Sequence, residues 1–348
     1  MAGRFKQQLK QVAITGGLEV SFLLSRLGLI GSLKGRGVIF TLHHVRPAEP
    51  QAFQPNRHLD ITPEFLDATI RTLAGRGYRF LRLEDVPTAL AEAEGGQPFA
   101  VFTLDDGFRD NRDFAMPVFA RHGVPFTIFV CKGLSERSHT MWWETVAALI
   151  GKRERLALCL PAGRIDLDCS TLRAKTSAFD AVARCLMAGD ETKGVAQLDQ
   201  MAQAAGINPH ALVSETVMDR DELAALARNP LVSYGAHTVS HRGLADLGDT
   251  ELLSELNESA DYVGGITGAR PTTFAYPYGD TRSATIRTAG YADWAGFKLS
   301  LTTRPATLTP ASMQSPQLLP RISLNGLYQK RRYVEALASG LPSRLAGG

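Results

Sequence analysis

The chain has 348 residues, of which 44% are hydrophobic and 21% charged, a balance that is typical of a globular protein and excludes disorder as the default state. Its four cysteines contain no C-x-x-C pair, so neither a thiolate zinc site nor a dense disulfide framework is supported, and we expect reduced thiols.

The net charge of +3 is unevenly distributed along the chain. Residues 1–37 contain six Lys and Arg against one Glu, which gives +5, residues 326–348 contribute +3, and the middle is therefore at −5. Basic ends favour either an anionic membrane surface or simple solvation. No basic patch interleaved with aromatic residues is present, so nucleic acid is not an expected partner.

Residues 1–37 form the first predicted unit, a weakly amphipathic helix. Glu19 and Arg26 interrupt the apolar core that a secretory signal would need, and no run reaches the ~18 apolar residues of a spanning helix. A helix packed on the domain and an interfacial anchor both fit this pattern. Without a recognisable secretory signal, we expect a cytoplasmic protein, with peripheral contact at the inner membrane left open.

From residue 38 to about residue 325, short apolar runs alternate with amphipathic segments, which is typical of a βαβ fold. The predicted strands cover residues 38–42, 80–83, 99–104, 125–130, 231–236, 273–276 and 294–299. Predicted helices begin at Thr62-Pro63 and cover residues 112–122, 221–227, 251–263 and 282–289. About seven strands separated by helices predict a parallel barrel or a doubly wound sheet, in which strand carboxyl ends carry the chemistry.

The alternation lapses between about residues 135 and 217, which we interpret as a mainly helical insertion. Near its beginning lie Trp142 and Trp143. These residues either form a wall on which a sugar stacks or pack as core aromatics at a helix start. Residues 326–348 form a basic C-terminal tail.

Two clusters of polar side chains follow predicted strands. Asp105 and Asp106 follow strand 99–104, and His237 and His241 follow strand 231–236 with the i, i+4 spacing of neighbours on a helical turn. An Asp and two His can hold a divalent metal and leave a position open for water, while the second Asp serves as base. Nitrogen and oxygen ligands fit zinc, and also cobalt, nickel or manganese.

Two further strand ends offer groups for catalysis. The proline-stiffened turn at Tyr276-Pro277-Tyr278 would aim a backbone N–H toward the same edge. His43 and His44 follow the first predicted strand, where an imidazole suits a general acid near neutral pH. Solvated turns and packed histidines are the structural alternatives at all these positions.

The sequence resembles the polysaccharide deacetylase family, the carbohydrate esterases with a NodB-homology domain. Residues 103–107 match its T-F-D-D-G motif, and residues 237–241 match its H-[ST]-x-x-H motif. The resemblance covers about residues 38–325, excluding the insertion, and implies a distorted (β/α) barrel. It also implies that Asp105 is the catalytic base and that Asp106, His237 and His241 are the metal ligands.

Two other family motifs match only in part. The R-x-P-Y motif aligns on residues 275–278, so Tyr278 would lend its N–H to the oxyanion and Pro277 would lie beside the substrate, but Ala275 replaces the arginine. Arg321, which follows the last predicted strand, is the candidate replacement. It also stands where the L-x-H motif has its acid histidine.

In the branch that resembles poly-N-acetylglucosamine deacetylases, the acid histidine comes from an early motif of the L-x-Y-H-x-V kind. Residues 41–45 fit that pattern and place His44 as the acid. His43 occupies the tyrosine position at the substrate and could exchange roles with His44.

The resemblance implies a zinc-dependent enzyme that removes N-acetyl groups from amino sugars of a bacterial polysaccharide or of a lipid-linked oligosaccharide precursor. An O-acetyl esterase or deformylase acting on a lipid-linked sugar is an alternative with the same metal, water and base. A glycan-binding pseudoenzyme is an alternative of another class, and the missing third-motif arginine would favour it.

Overall fold

The computed structural model describes residues 2–29, 35–93, 95–161 and 163–346. The predicted N-terminal unit, residues 1–37, therefore lies partly outside the described residues, as does the end of the basic tail. No described helix is long and apolar enough to cross a membrane.

The described strands include those of one large parallel sheet and two smaller sheets. In chain order they are β1 (Gly37–Leu42), β2 (His44–Val45), β3 (Asp60–Ile61), β4 (Arg79–Phe80), β5 (Phe99–Leu104), β6 (Phe126–Val130), β7 (Arg155–Leu160), β8 (Gly163–Asp168), β9 (Val232–Ala236), β10 (Thr273–Ala275), β11 (Leu299–Leu301) and β12 (Ile322–Ser323).

The described helices connect these strands and cover the outside of the sheet. In chain order they are α1 (Ala2–Arg26), α2 (Pro63–Gly75), α3 (Val86–Ala91), α4 (Met116–His122), α5 (Lys132–Ser135), α6 (Trp142–Gly151), α7 (Leu172–Ala188), α8 (Glu191–Ala204), α9 (Pro209–Thr216), α10 (Arg220–Leu226), α11 (Asp249–Thr267), α12 (Ile286–Trp294), α13 (Arg331–Ala338) and α14 (Leu341–Ala346).

The large sheet has the strand order β11-β10-β9-β6-β5-β1-β12, with β4 pairing beside β5, and all pairs are parallel. Its two edges approach each other through a bridge between Leu301 and Leu319, and the Thr302 N–H donates to the Leu319 carbonyl at 2.8 Å. These contacts confirm the distorted (β/α) barrel implied by the resemblance. They also bring all the strand carboxyl ends to one mouth.

Continuous burial explains the central strands. Every residue of β1, β5 and β6 is buried, as expected for parallel strands that are covered on both faces. On the outside, α2 begins where Thr62 caps it by accepting from the Phe65 N–H at 3.2 Å. The predicted strand 80–83 is shorter than expected because Leu83 begins a 3₁₀ turn. The predicted strand 294–299 is misplaced, since Trp294 ends α12 and β11 begins at Leu299.

The region between β6 and β9 contains α5 to α10, in agreement with a mainly helical insertion, but it also contains an antiparallel hairpin of β7 and β8 that was not predicted. Alternate residues of β7 are buried, with Leu156, Leu158 and Leu160 facing inward. These leucines and the inner faces of α6 to α9 form a second core beside the barrel.

Candidate active site

The mouth of the barrel gathers side chains from the ends of several strands. The pair Asp105 and Asp106 follows β5, His43 and His44 follow the end of β1, His237 follows β9, and Tyr278 lies in the turn after β10. Arg321 immediately precedes β12. The expectation that it follows the last strand is therefore wrong, because the short strand β12, which pairs with β1, comes after it in the chain.

Arg321 forms a two-pronged ion pair with Asp105. Its two terminal nitrogens donate to the two Asp105 carboxylate oxygens at 2.7 and 2.8 Å, and the arginine is fully buried. Further hydrogen bonds to the Thr103 hydroxyl (3.1 Å) and the Thr302 carbonyl (2.9 Å) fix the guanidinium. The structure thus places Arg321 where an arginine can orient the predicted base, which the family achieves from its third motif.

The ion pair also controls the charge of Asp105. Burial by itself would raise the pKa of this carboxyl, but the Arg321 guanidinium lowers the pKa below its ordinary value. Asp105 is therefore an anion at neutral pH and can accept a proton.

Asp106, His237 and His241 form a buried cluster that fits a divalent metal. Their candidate ligand atoms lie within 4.8 Å of one another, and Oδ1 of Asp106 is 3.5 Å from His237 Nε2 and 3.2 Å from His241 Nε2. Oδ1 of Asp106 is buried and makes no hydrogen bond within the described part of the chain. A buried carboxylate oxygen without a hydrogen bond, faced by two imidazole nitrogens, is the donor set that a zinc-like cation satisfies.

The tautomer of His237 suits ligation. Its Nδ1 lies 2.7 Å from the Ala275 carbonyl, which can only accept, so Nδ1 donates there, and in the neutral imidazole the lone pair lies on Nε2, toward Asp106.

The two histidines do not lie on a helical turn, so that expectation is wrong. Thr238 and His241 have φ of 65° and 57°, in the left-handed region, and the segment is a loop. The loop is held by the buried Glu255 of α11, whose carboxylate accepts from the N–H groups of Val239 (2.7 Å) and Ser240 (3.0 Å). Both imidazoles reach the same carboxylate because the loop folds back, without helical spacing.

His44 is paired with a carboxylate that the sequence analysis missed. Its Nδ1 lies 2.6 Å from Asp110, and its ring stacks on Phe108 at 3.7 Å between centroids. Burial would lower the pKa of His44, but Asp110 raises the pKa above its ordinary value. Asp110 thereby favours the protonated form of His44, which a general acid requires.

His43 differs from its neighbour in charge state. Its Nε2 lies 4.0 Å from Asp105 Oδ2, and burial lowers the pKa of His43 to about 4 although Asp105 opposes this shift. His43 is therefore neutral at physiological pH. This difference favours His44 over His43 as the acid.

Tyr278 connects the barrel mouth to the insertion. With φ of 61° it turns its backbone sharply before Gly279, and its N–H donates to no group among the residues described. Its hydroxyl lies 2.5 Å from Glu191 of α8, to which it donates, and accepts from the Trp142 indole at 2.9 Å. The turn thus leaves an N–H donor available while its side chain is fixed by the insertion.

Trp142 and Trp143 are buried, with 6% and 8% of their surfaces exposed, so neither presents the open face that a stacking sugar needs. Trp142 bonds Tyr278, and the Trp143 ring lies 4.8 Å from that of His241. The expectation of a sugar-stacking wall is replaced by the alternative, core packing at the start of α6, here directly behind the site.

Three carboxylates that support the site were missed: Asp110, Glu191 and Glu255. Asp110 follows Asp106 by four residues, and Glu255 interrupts the apolar face of α11, so both carried a signal in the sequence. Glu191 carried none, because only the fold of the insertion brings it to Tyr278.

Comparisons with known proteins agree with this site. Residues 191–295 match the family model described as polysaccharide deacetylase, a range that includes His237, His241 and Tyr278. No protein of curated function matches the sequence significantly.

Several solved structures are similar in fold. The deacetylase PplD of Streptococcus pyogenes, solved in complex with acetate, is 19% identical over 83% of this chain and 92% of its own, with a TM-score of 0.51. IcaB from Ammonifex degensii is 16% identical over 88% and 97%, with a TM-score of 0.52. A polysaccharide deacetylase from Bacillus cereus is 14% identical over 88% and 68%, with a TM-score of 0.54. At these identities the likeness establishes the fold alone. The family match, which covers residues 191–295 and includes the second motif, supports the resemblance to the polysaccharide deacetylase family that is seen in the sequence.

Proposed function

We propose that this protein is a metal-dependent hydrolase that removes N-acetyl groups from amino sugars of a bacterial polysaccharide or its precursor, with Zn²⁺ as the metal. The proposal rests chiefly on one observation: the ion-paired carboxylate of Asp105 lies directly beside the Asp106, His237 and His241 cluster. The adjacency of a fixed base and a metal-binding donor set is what hydrolysis of an amide without a covalent intermediate requires.

A cation held by Asp106, His237 and His241 would polarise the acetyl carbonyl and lower the pKa of a water molecule. Asp105, which Arg321 keeps anionic and oriented, accepts a proton from that water while the water oxygen attacks the carbonyl carbon.

Two groups complete the reaction. The Tyr278 N–H donates to the oxygen that becomes negative in the tetrahedral intermediate. When the C–N bond breaks, His44 gives a proton to the departing amine, and Asp110 stabilises the imidazolium that supplies it. The products are the free amino sugar and acetate.

The surroundings favour a polar substrate. A cavity of about 460 Å³ adjoins Tyr278 and is lined by charged side chains, among them Glu191, Arg242, Asp280 and Arg282. Such a lining can hydrogen-bond sugar hydroxyls.

The test is acetate release from N-acetylglucosamine oligomers by protein that has been stripped with a chelator and reconstituted with zinc. Asp105→Asn should abolish turnover and keep the metal, and His237→Ala should lose the metal. His210→Ala, which removes a histidine of the insertion outside the cluster, is the matched control and should bind metal normally.

The substrates distinguish the alternatives. Release from O-acetyl esters but not from amides would replace the proposal by an esterase, and glycan binding without any release would indicate a pseudoenzyme. Full metal binding by His237→Ala would overturn the ligand assignment.

A further inference from the structure

The outer face of α1 exposes apolar side chains in a row. Val12, Val20 and Leu23 lie on one side of the helix, Leu27 follows in the turn after it, and all four are between 51% and 70% exposed. Half of the large hydrophobic residues that are exposed in the described parts of the chain lie between residues 12 and 29. Such a contiguous apolar surface is unusual on a protein that stays fully in water.

A neighbouring face of α1 is firmly attached to the domain. Leu18 is buried against Tyr333 and Ala336 of α13. Glu19 accepts from the Arg332 guanidinium at 2.7 to 2.9 Å and from the Tyr333 hydroxyl at 2.9 Å. These contacts fix the rotation of the helix, so its apolar row points away from the protein and does not close onto the core.

Cations lie next to the apolar row. A cavity of about 330 Å³ opens between α1 and residues 327–333, and its lining includes Thr15, Arg57, Tyr328 and Lys330. Arg57 and Lys330 are exposed, and neither forms an ion pair with a described carboxylate. In the sequence, residues 1–37 carry a net charge of +5.

We propose that this side, the outer face of α1 together with the cavity at Arg57 and Lys330, binds an anionic phospholipid bilayer. The helix lies parallel to the surface, with its apolar row among the upper acyl chains and the two cations at the lipid phosphates. A second copy is the weaker fit, because two-fold pairing through this face would bring two positive segments together, whereas an anionic surface attracts both. The proposal is independent of the chemistry at the barrel mouth.

The experiment is sedimentation of the full chain with phosphatidylcholine vesicles, with and without phosphatidylglycerol. We expect binding to the anionic vesicles to be at least about tenfold tighter than to the neutral ones, and to weaken with added salt. The double variant Leu23→Asp/Leu27→Asp should lose binding to both. Leu172→Asp, which changes an equally exposed leucine on α7, is the matched control and should bind like the parent.

Arg57→Glu/Lys330→Glu should bind neutral vesicles like the parent and lose the preference for anionic ones. Circular dichroism of each variant, and the milder Leu23→Ser/Leu27→Ser, separate loss of binding from loss of folding. The proposal is overturned if the parent binds no vesicles, if a folded Leu23→Asp/Leu27→Asp binds as well as the parent, or if light scattering shows a dimer that this variant dissolves.

Discussion

Replacing Arg321 with methionine tests how the site compensates for the arginine missing at Ala275. The change removes both hydrogen bonds to Asp105 and leaves that carboxylate, which is 2% exposed, without its countercharge. Removing one partner of a buried ion pair costs about 3–5 kcal/mol, so we expect the free energy of unfolding to fall by that amount. Methionine approximates the volume of the arginine stem, which keeps the cavity term small.

Activity should fall as well, for a separate reason. Without the guanidinium, burial raises the pKa of Asp105, so a larger fraction of the base is protonated at a given pH. A positioned general base contributes about 10²–10⁴-fold, so we expect kcat/KM to fall by about 10²-fold, with the acidic limb of the pH profile moved to higher pH. The measurements are urea unfolding followed by tryptophan fluorescence and acetate release across pH.

The sign of the pH dependence is specific. In the parent the lowered pKa of Asp105 contributes stability above the ordinary Asp value, and this contribution is lost as pH falls through the lowered pKa. In Arg321→Met the carboxyl prefers its proton, so lowering the pH should recover stability.

The double variant Asp105→Asn/Arg321→Met isolates the pair. It should be more stable than Arg321→Met, because no buried charge is left alone, but no more active than Asp105→Asn. Arg228→Met, at an exposed arginine, is the control and should change stability by less than about 0.5 kcal/mol. If Arg321→Met lowers the free energy of unfolding by less than about 1 kcal/mol and kcat/KM by less than threefold, the ion pair does not hold Asp105 as a base.

Two other supporting carboxylates give further predictions. In Asp110→Asn, burial should lower the pKa of His44, so the imidazolium is lost at a lower pH. The alkaline limb of the kcat/KM profile should then move to lower pH. An alkaline limb that does not move would exclude His44 as the acid. Glu191→Ala should reduce kcat/KM by about tenfold, since a hydrogen bond to a charged group is worth about 1.5–3 kcal/mol and the Tyr278 turn loosens without it. Glu215→Ala, exposed on the same insertion, should match the parent in the same acetate assay, and equal behaviour of the two variants would contradict a positioning role for Glu191.

Local patterns were reliable where one segment determines its own structure. The run at residues 99–104 is β5 with the predicted bounds, because a parallel strand buried on both faces needs an unbroken apolar sequence. The cap at Thr62 was predicted because its side chain bonds a backbone group only three residues away. The hairpin of β7 and β8 was not predicted, although every second residue of β7 is a leucine, because the segments before and after it have the apolar pattern of helices.

The backbone geometry at the site could not be predicted from the sequence. Asp106, Thr238, His241 and Tyr278 all have positive φ, which residues with a side chain rarely adopt. Propensity alone does not determine it there, so surrounding contacts such as those from Glu255 must hold it. The expected helical turn at the two histidines failed for this reason.

The sequence by itself predicted which residues stand at the ends of strands, and its family resemblance implied the chemistry of their side chains: a base at Asp105 and metal-binding donors at Asp106, His237 and His241. Only the tertiary structure decided how that chemistry is completed. Asp105 and Arg321 are 216 residues apart, and they meet because β12 pairs beside β1 as the barrel closes. The sequence named Arg321 only as a candidate, since whether its side chain reaches Asp105 depends on the register of the whole sheet.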